Sequence, residues 1–202
     1  RTIMTPAKTT TTKTKAAPKK RTPAAPRIDS LPTNPFVFEV LDLASKQKTK
    51  PKRIEALKYY EHDSIKSVLI WNFDESVKSL LPEGDVPYGD GEQQQIFSGT
   101  LSDNIAREAA GGESATGQDL DGRNKTSLRR EWVNLYNFVE GGNNNINGMR
   151  REVIFINMLQ GLHPKEAELL VKVKDKKLTE LYNIPFDIVK AAYTDITWGG
   201  RS

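Results

Sequence analysis

The stretch Ser127-Leu-Arg-Arg-Glu-Trp-Val-Asn-Leu-Tyr-Asn-Phe-Val-Glu140 places Leu128, Trp132, Leu135, Tyr136 and Val139 at i, i+4, i+7, i+8 and i+11. That spacing predicts a single apolar stripe on an α-helix over 127–140. Gly141-Gly142-Asn143-Asn144-Asn145 ends it, because such residues favour turns over continued helix.

Downstream the same period continues. Residues 150–160 predict a helix with Ile154, Phe155, Met158 and Leu159 inward and Gly161 at its end. Pro164 opens a further helix that packs Ala167, Leu169, Leu170 and Val173. Asn183-Ile184-Pro185 introduces a last one with Ile188, Val189 and Ala192. Upstream, Asn34-Pro35 predicts a cap and first turn leading into Phe36, Val37, Val40, Leu41 and Ala44. Pro51 starts a second helix with Ile54, Leu57 and Tyr60 inward. Asp63 caps a third carrying Ile65, Val68 and Leu69. Asp74 caps a short fourth with Val77, Leu80 and Leu81, stopped by Pro82. Trp71, Tyr59 and Tyr60 read as core or half-buried. No segment alternates with period two. The expected fold class is therefore all-α: a two-lobed helical domain, lobes 34–81 and 127–202, with a loop-rich insertion at 82–126 and an extended basic N-terminal arm at 1–33. Within the insertion, Ser102 is expected to cap a short helix through Ile105 and Ala109.

Charge divides the chain in the same place. Of 202 residues, 30 are basic and 26 acidic, yet the first 27 hold Arg1, Lys8, Lys13, Lys15, Lys19, Lys20, Arg21 and Arg27 and no acid. Without those eight, 22 basic residues face 26 acidic ones, so the cationic character belongs to the arm. Prolines at 6, 18, 23, 26 and 32 block helix and favour extended geometry there. Such a composition fits either a solvated, disordered tail or an anchor that orders on a partner. Met4 reads as a candidate initiator, and the N-terminal charge lacks the apolar run of a secretory signal.

Catalytic groups are scarce. There is no cysteine and there are two histidines, His62 and His163, so no metal site and no cofactor are expected. His62 reads as a cation near a helix C-terminus, and His163, immediately before Pro164, as a helix-entry residue. Neither G-x-S-x-G nor G-x-x-x-x-G-K-[ST] occurs. Asp119-Leu-Asp-Gly-Arg123 lacks the lysine of a nucleotidyltransferase motif and the further ligands of a calcium loop. The chain is expected not to be an enzyme. Two basic clusters complete the candidate contact set for a protein partner or for phosphate. One comprises Lys48, Lys50, Lys52 and Arg53, beside Lys46; the other comprises Lys172, Lys174, Lys176 and Lys177. With them stand Lys8, Lys13, Lys15, Lys19, Lys20, Arg21 and Arg27 of the arm.

Phe36-Val-Phe-Glu-Val-Leu-Asp-Leu-Ala44, Lys50-Pro-Lys-Arg-Ile-Glu-Ala-Leu-Lys58, Leu69-Ile-Trp-Asn-Phe-Asp74 and Leu80-Leu-Pro-Glu-Gly84 resemble an uncharacterised family of contractile-tailed, cyanophage-like phages. The resemblance spans roughly 34–195 and brings no activity. Leu159-Gln-Gly-Leu-His-Pro-Lys-Glu-Ala-Glu-Leu-Leu170 is similar to a segment in the helical DNA-binding domain of ATP-dependent DNA ligases. That second resemblance implies a fold that grips duplex backbone without doing chemistry. Ligase activity does not transfer, because the adenylation domain is missing. Two functions are expected to compete. One is a phage structural or assembly protein in the virion, docked on other virion proteins by body and arm. The other is an accessory protein of phage replication or transcription that holds nucleic acid through the arm. No membrane partner is expected, since the apolar runs are far below the roughly 20 residues that span a bilayer.

Overall fold

A computed structural model describes residues 21–88, 99–100 and 126–201. Lys8, Lys13, Lys15, Lys19 and Lys20, the helix expected after Ser102, and Asp119 to Arg123 lie outside the described residues.

The described chain is mostly helical. Its α-helices are α1 (Val37–Ser45), α2 (Lys50–Tyr59), α3 (Asp63–Phe73), α4 (Leu128–Glu131), α5 (Gly148–Gly161), α6 (Pro164–Lys174) and α7 (Phe186–Ala192). Three 3₁₀ helices join them: Ile28–Ser30, Trp132–Phe138 and Leu178–Glu180. Strands β1 (Pro87–Tyr88) and β2 (Gly99–Thr100) pair antiparallel over two residues each. This small ladder lies inside the insertion and leaves the all-α character of the described chain intact.

Helices from both halves bury one continuous core. Val40, Leu41 and Ala44 of α1, Leu57 of α2, Val68 and Leu69 of α3, Leu159 of α5, Leu170 and Val173 of α6, and Val189 of α7 are all fully buried. Helix α1 packs on α2 and α6, α2 on α7, and α3 on α4 and α6. The halves fold together because neither can cover its apolar stripes alone. Each such valine or leucine side chain contributes about 1.5–3 kcal/mol on leaving water.

Several boundaries differ from expectation, each for a local reason. Helix α1 begins after Phe36 rather than at Pro35, and the Phe36 N–H donates to Glu39 Oε1 at 3.2 Å. His62, not Asp63, caps α3: its Nδ1 accepts from the Ser64 N–H at 3.1 Å. It therefore stands at a helix N-terminus, where the cation expected from the sequence would be misplaced. Asp74 does not start a fourth helix. Its Oδ1 instead accepts from the Ser76 N–H at 2.9 Å and the Ser76 hydroxyl at 2.6 Å, a local turn that competes with helix. The chain then runs extended, and Ser79 bridges Val139 antiparallel. Val77 and Leu81 stay buried while Leu80 is exposed.

The decisive stretch 127–140 is helical but not one α-helix. After Glu131 it tightens to 3₁₀. A period near three keeps Leu135 and Phe138 buried and leaves Val133 and Tyr136 about half exposed, at 52% and 50%. Tyr136 is thus outward where the α spacing put it inward, and Phe138 inward where that spacing left it out. Gly142 lies so close under this helix that a Cβ there would collide with the Tyr136 carbonyl oxygen. Arg151, 8% exposed, fastens the same turn by donating to the carbonyls of Asn137, Asn143 and Ile146 at 2.9, 3.3 and 3.2 Å.

Candidate docking surface at the foot of the arm

The described end of the arm is tied to the body. Residues 21–27 carry no regular structure and lead into the 3₁₀ turn Ile28–Ser30. Ile28 and Leu31 pack against the core. Gln47, buried at the end of α1, donates from Nε2 to the carbonyls of Pro26 at 2.9 Å and Leu43 at 3.2 Å. The Leu31 N–H donates to the Tyr60 hydroxyl at 3.0 Å. Beside this foot lies an open groove of about 550 Å³, whose walls include Arg27, Lys48, Thr49, Lys52 and Tyr59. Tyr59 was expected to be core or half-buried, but it is 60% exposed and packs edge-on against Tyr60. Its ring is part of the surface.

The basic residues divide by what they hold. Arg27 makes a paired contact to Asp29 at 3.1 and 2.8 Å. Lys50 meets Asp187 at 2.7 Å and Lys52 meets Glu55 at 3.0 Å, exposed pairs that solvent screens and that add little to stability. Arg53 donates to the carbonyls of Gln47 and Asn183, closing α2 on the chain before α7. Lys48 is exposed and has no partner among the described residues. Arg21 is exposed as well.

The second cluster does different work. Lys172 pairs with Glu180 at 3.0 Å. The Lys174 side chain is wholly buried and donates to the Pro82 and Gly84 carbonyls at 2.8 and 2.7 Å and to Asp175 at 2.8 Å. Lys176, in the left-handed region at φ 58°, donates to the carbonyls of Trp71 and Asp74 at 2.7 and 2.8 Å. Burial lowers its pKa, against the opposing pull of Asp74 and Glu75. Lys174 and Lys176 therefore fasten loop ends; Lys176 and Lys177 are both exposed, and of these two it is Lys177 whose side chain has no partner among the described residues.

Glu166 is the group that sequence reading passed over. It is wholly buried. Its Oε2 accepts from the Val37 N–H at 3.2 Å and its Oε1 from the Leu128 N–H at 3.1 Å. One carboxyl thereby caps the first residues of both α1 and α4. Burial pushes its pKa up to about 7, and Glu39 adds to this; the two N–H donors and Arg129 oppose the rise. The signal was present in the sequence, since Glu166 stands three and four residues before Leu169 and Leu170 on the apolar stripe. His163 stands at the entry of α6 as its cap, accepting from the Lys165 N–H at 3.1 Å through Nδ1, with Phe36 and Phe38 against its ring. Burial lowers the pKa of both histidines, helped by Arg129 at His62 and by Lys165 at His163.

Asp74 gathers the C-terminal segment. Its Oδ2 accepts from the Gly199 N–H at 3.0 Å and lies 3.5 Å from Arg201. Burial alone would raise its pKa, but the Ser76 and Gly199 hydrogen bonds and Arg201 hold it below the usual range. Among the described residues, no group of three His, Asp or Glu side chains is placed to hold a metal, and no helix is long and apolar enough to cross a membrane.

These features define a mostly helical domain whose buried charges are fastened to its own backbone. A family model matches residues 40–109 and 114–180. The chain belongs to that family, DUF6433, a family of unknown function. No curated protein and no solved structure matches it.

Proposed function

We propose that the chain is a non-enzymatic structural or assembly component of a tailed-phage particle, docked on other virion proteins through its helical body and its basic arm. The carrying observation is the pinned foot of the arm. Gln47 and Tyr60 hold Pro26 and Leu31, so the cationic chain upstream starts from a fixed point beside an open groove. A tether held at one end adds effective concentration to every contact it makes. The buried ionisable groups agree with this reading. Glu166, Arg151 and Lys174 each meet backbone amides or carbonyls, an arrangement that holds a fold in place. The resemblance of residues 36–84 to tailed-phage proteins gives the setting.

Co-sedimentation with purified particles tests the proposal. The full chain should pellet with particles, and a variant lacking residues 1–20 should pellet far less. Replacing the arm threonines and prolines while keeping every lysine and arginine should also weaken binding, because a groove reads shape as well as charge. Equal pelleting of the full and shortened chains refutes the arm's part. Tight, steeply salt-dependent binding to duplex DNA that vanishes with the arm charges alone favours the nucleic-acid reading instead.

A further inference from the structure

The seven-residue 3₁₀ helix Trp132–Phe138 is long for its kind and forms one wall of a second cleft. The cleft holds about 300 Å³ between this wall and α3, above Val77. Its floor is Trp71, 2% exposed and fixed by Nε1 donating to the Ser79 hydroxyl at 2.7 Å, which in turn donates to the Lys174 carbonyl at 2.5 Å. Trp132 is half-buried at the side, and Tyr136 and Val133 stand outward at the mouth. Apolar surface dominates, and the charged groups lining the cleft are Arg201 and Glu140. Arg201 is partly exposed and reaches Asp74 through Nε at a long 3.5 Å. The rest of its guanidinium donors have no side-chain partner among the described residues.

Rigid indole walls with a guanidinium beside them suit one chemistry: a bulky apolar group with a carboxylate next to it. We propose that this cleft binds a segment of a partner protein bearing an aromatic or large aliphatic side chain adjacent to a carboxylate, with the apolar group against Trp132 and Tyr136, above the buried Trp71, and the carboxylate on Arg201. Glu140 repels the acidic end and so fixes the direction of entry. This deepens the docking reading and rests on it, but uses a face distinct from the arm's foot.

Titration of the full chain with N-acetyl-tryptophan and with its neutral amide, followed by NMR of the Trp71 and Trp132 indole N–H signals, tests the site. The acid should shift both signals and bind about fivefold to tenfold tighter than the amide, the gain expected of a charge-assisted contact at a partly exposed site. Tyr136→Ala should weaken both probes, and Arg201→Gln should make them equal. Unmoved indole signals, or equal affinity of acid and amide for the unaltered chain, overturn the proposal. Removing residues 1–20 should leave the titration unchanged, so a failure here is separate from a failure of the arm's role.

Discussion

Glu166 makes stability depend on pH in a direction opposite to that of the histidines. Its carboxyl moves from an ordinary 4.5 to about 7 on folding. Between those values the folded chain keeps a proton that the unfolded chain releases. The stability this group contributes is therefore greatest below 4.5, is lost as pH rises through 7, and changes no further above. Between pH 5 and 8 the loss is about 2–3 kcal/mol. His62 and His163 work the other way: their lowered pKa values give stability that is present above 6.5 and lost as pH falls below it. The raw curve mixes the two, so the comparison is with Glu166→Gln, which leaves both histidines in place. Glutamine offers one acceptor to two backbone N–H groups and turns a donor toward the other, which costs about 1–3 kcal/mol at every pH. Urea unfolding followed by circular dichroism at pH 5, 6, 7 and 8 should show the unaltered chain more stable at pH 5. That advantage should shrink by about 2–3 kcal/mol, or reverse, by pH 8. A gap that is constant or widens with pH refutes the assignment of a strained, buried carboxyl.

Three further outcomes follow from the packing. Phe138→Ala should cost about 3–5 kcal/mol while Tyr136→Ala costs under about 1 kcal/mol, measured by the same unfolding; similar costs would mean that the 3₁₀ register is wrong. Gly142→Ala should lower stability by at least about 2 kcal/mol, because the methyl group meets the Tyr136 carbonyl; an unchanged melting temperature contradicts that approach. Lys174→Ala should cost about 2–3 kcal/mol by orphaning the Pro82 and Gly84 carbonyls, whereas Lys177→Ala should stay within about 0.5 kcal/mol.

The helices were legible wherever the apolar period and a capping residue agreed. Leu57, Leu170 and Val189 fall inside as their spacing requires. Reading failed where a side chain competed with the backbone. Asp74 holds Ser76 and ends a helix where its type suggested a beginning, and His62 caps as a neutral acceptor where its type suggested a cation. The 3₁₀ turn of Trp132–Phe138 was hidden because periods of 3 and 3.6 separate by only one residue over so short a run. That one residue exchanges Phe138 with Tyr136. For the candidate site, the charge runs located the surface but not the function of each cation. Lys174 sits four residues after Leu170, on the stripe that turns inward, while Lys48 and Lys177 point out. Nothing in spacing alone ties Gln47 to Pro26, since that bond depends on where the arm returns.

If the chain docks on a particle, as proposed, it travels with that particle. Mass spectrometry of gradient-purified particles from the lysate in which the chain is made checks this: the chain should be present at a fixed copy ratio to the other particle proteins and be retained through a salt wash. Its absence from such particles, with the chain recovered only in the free fraction, would overturn the docking proposal.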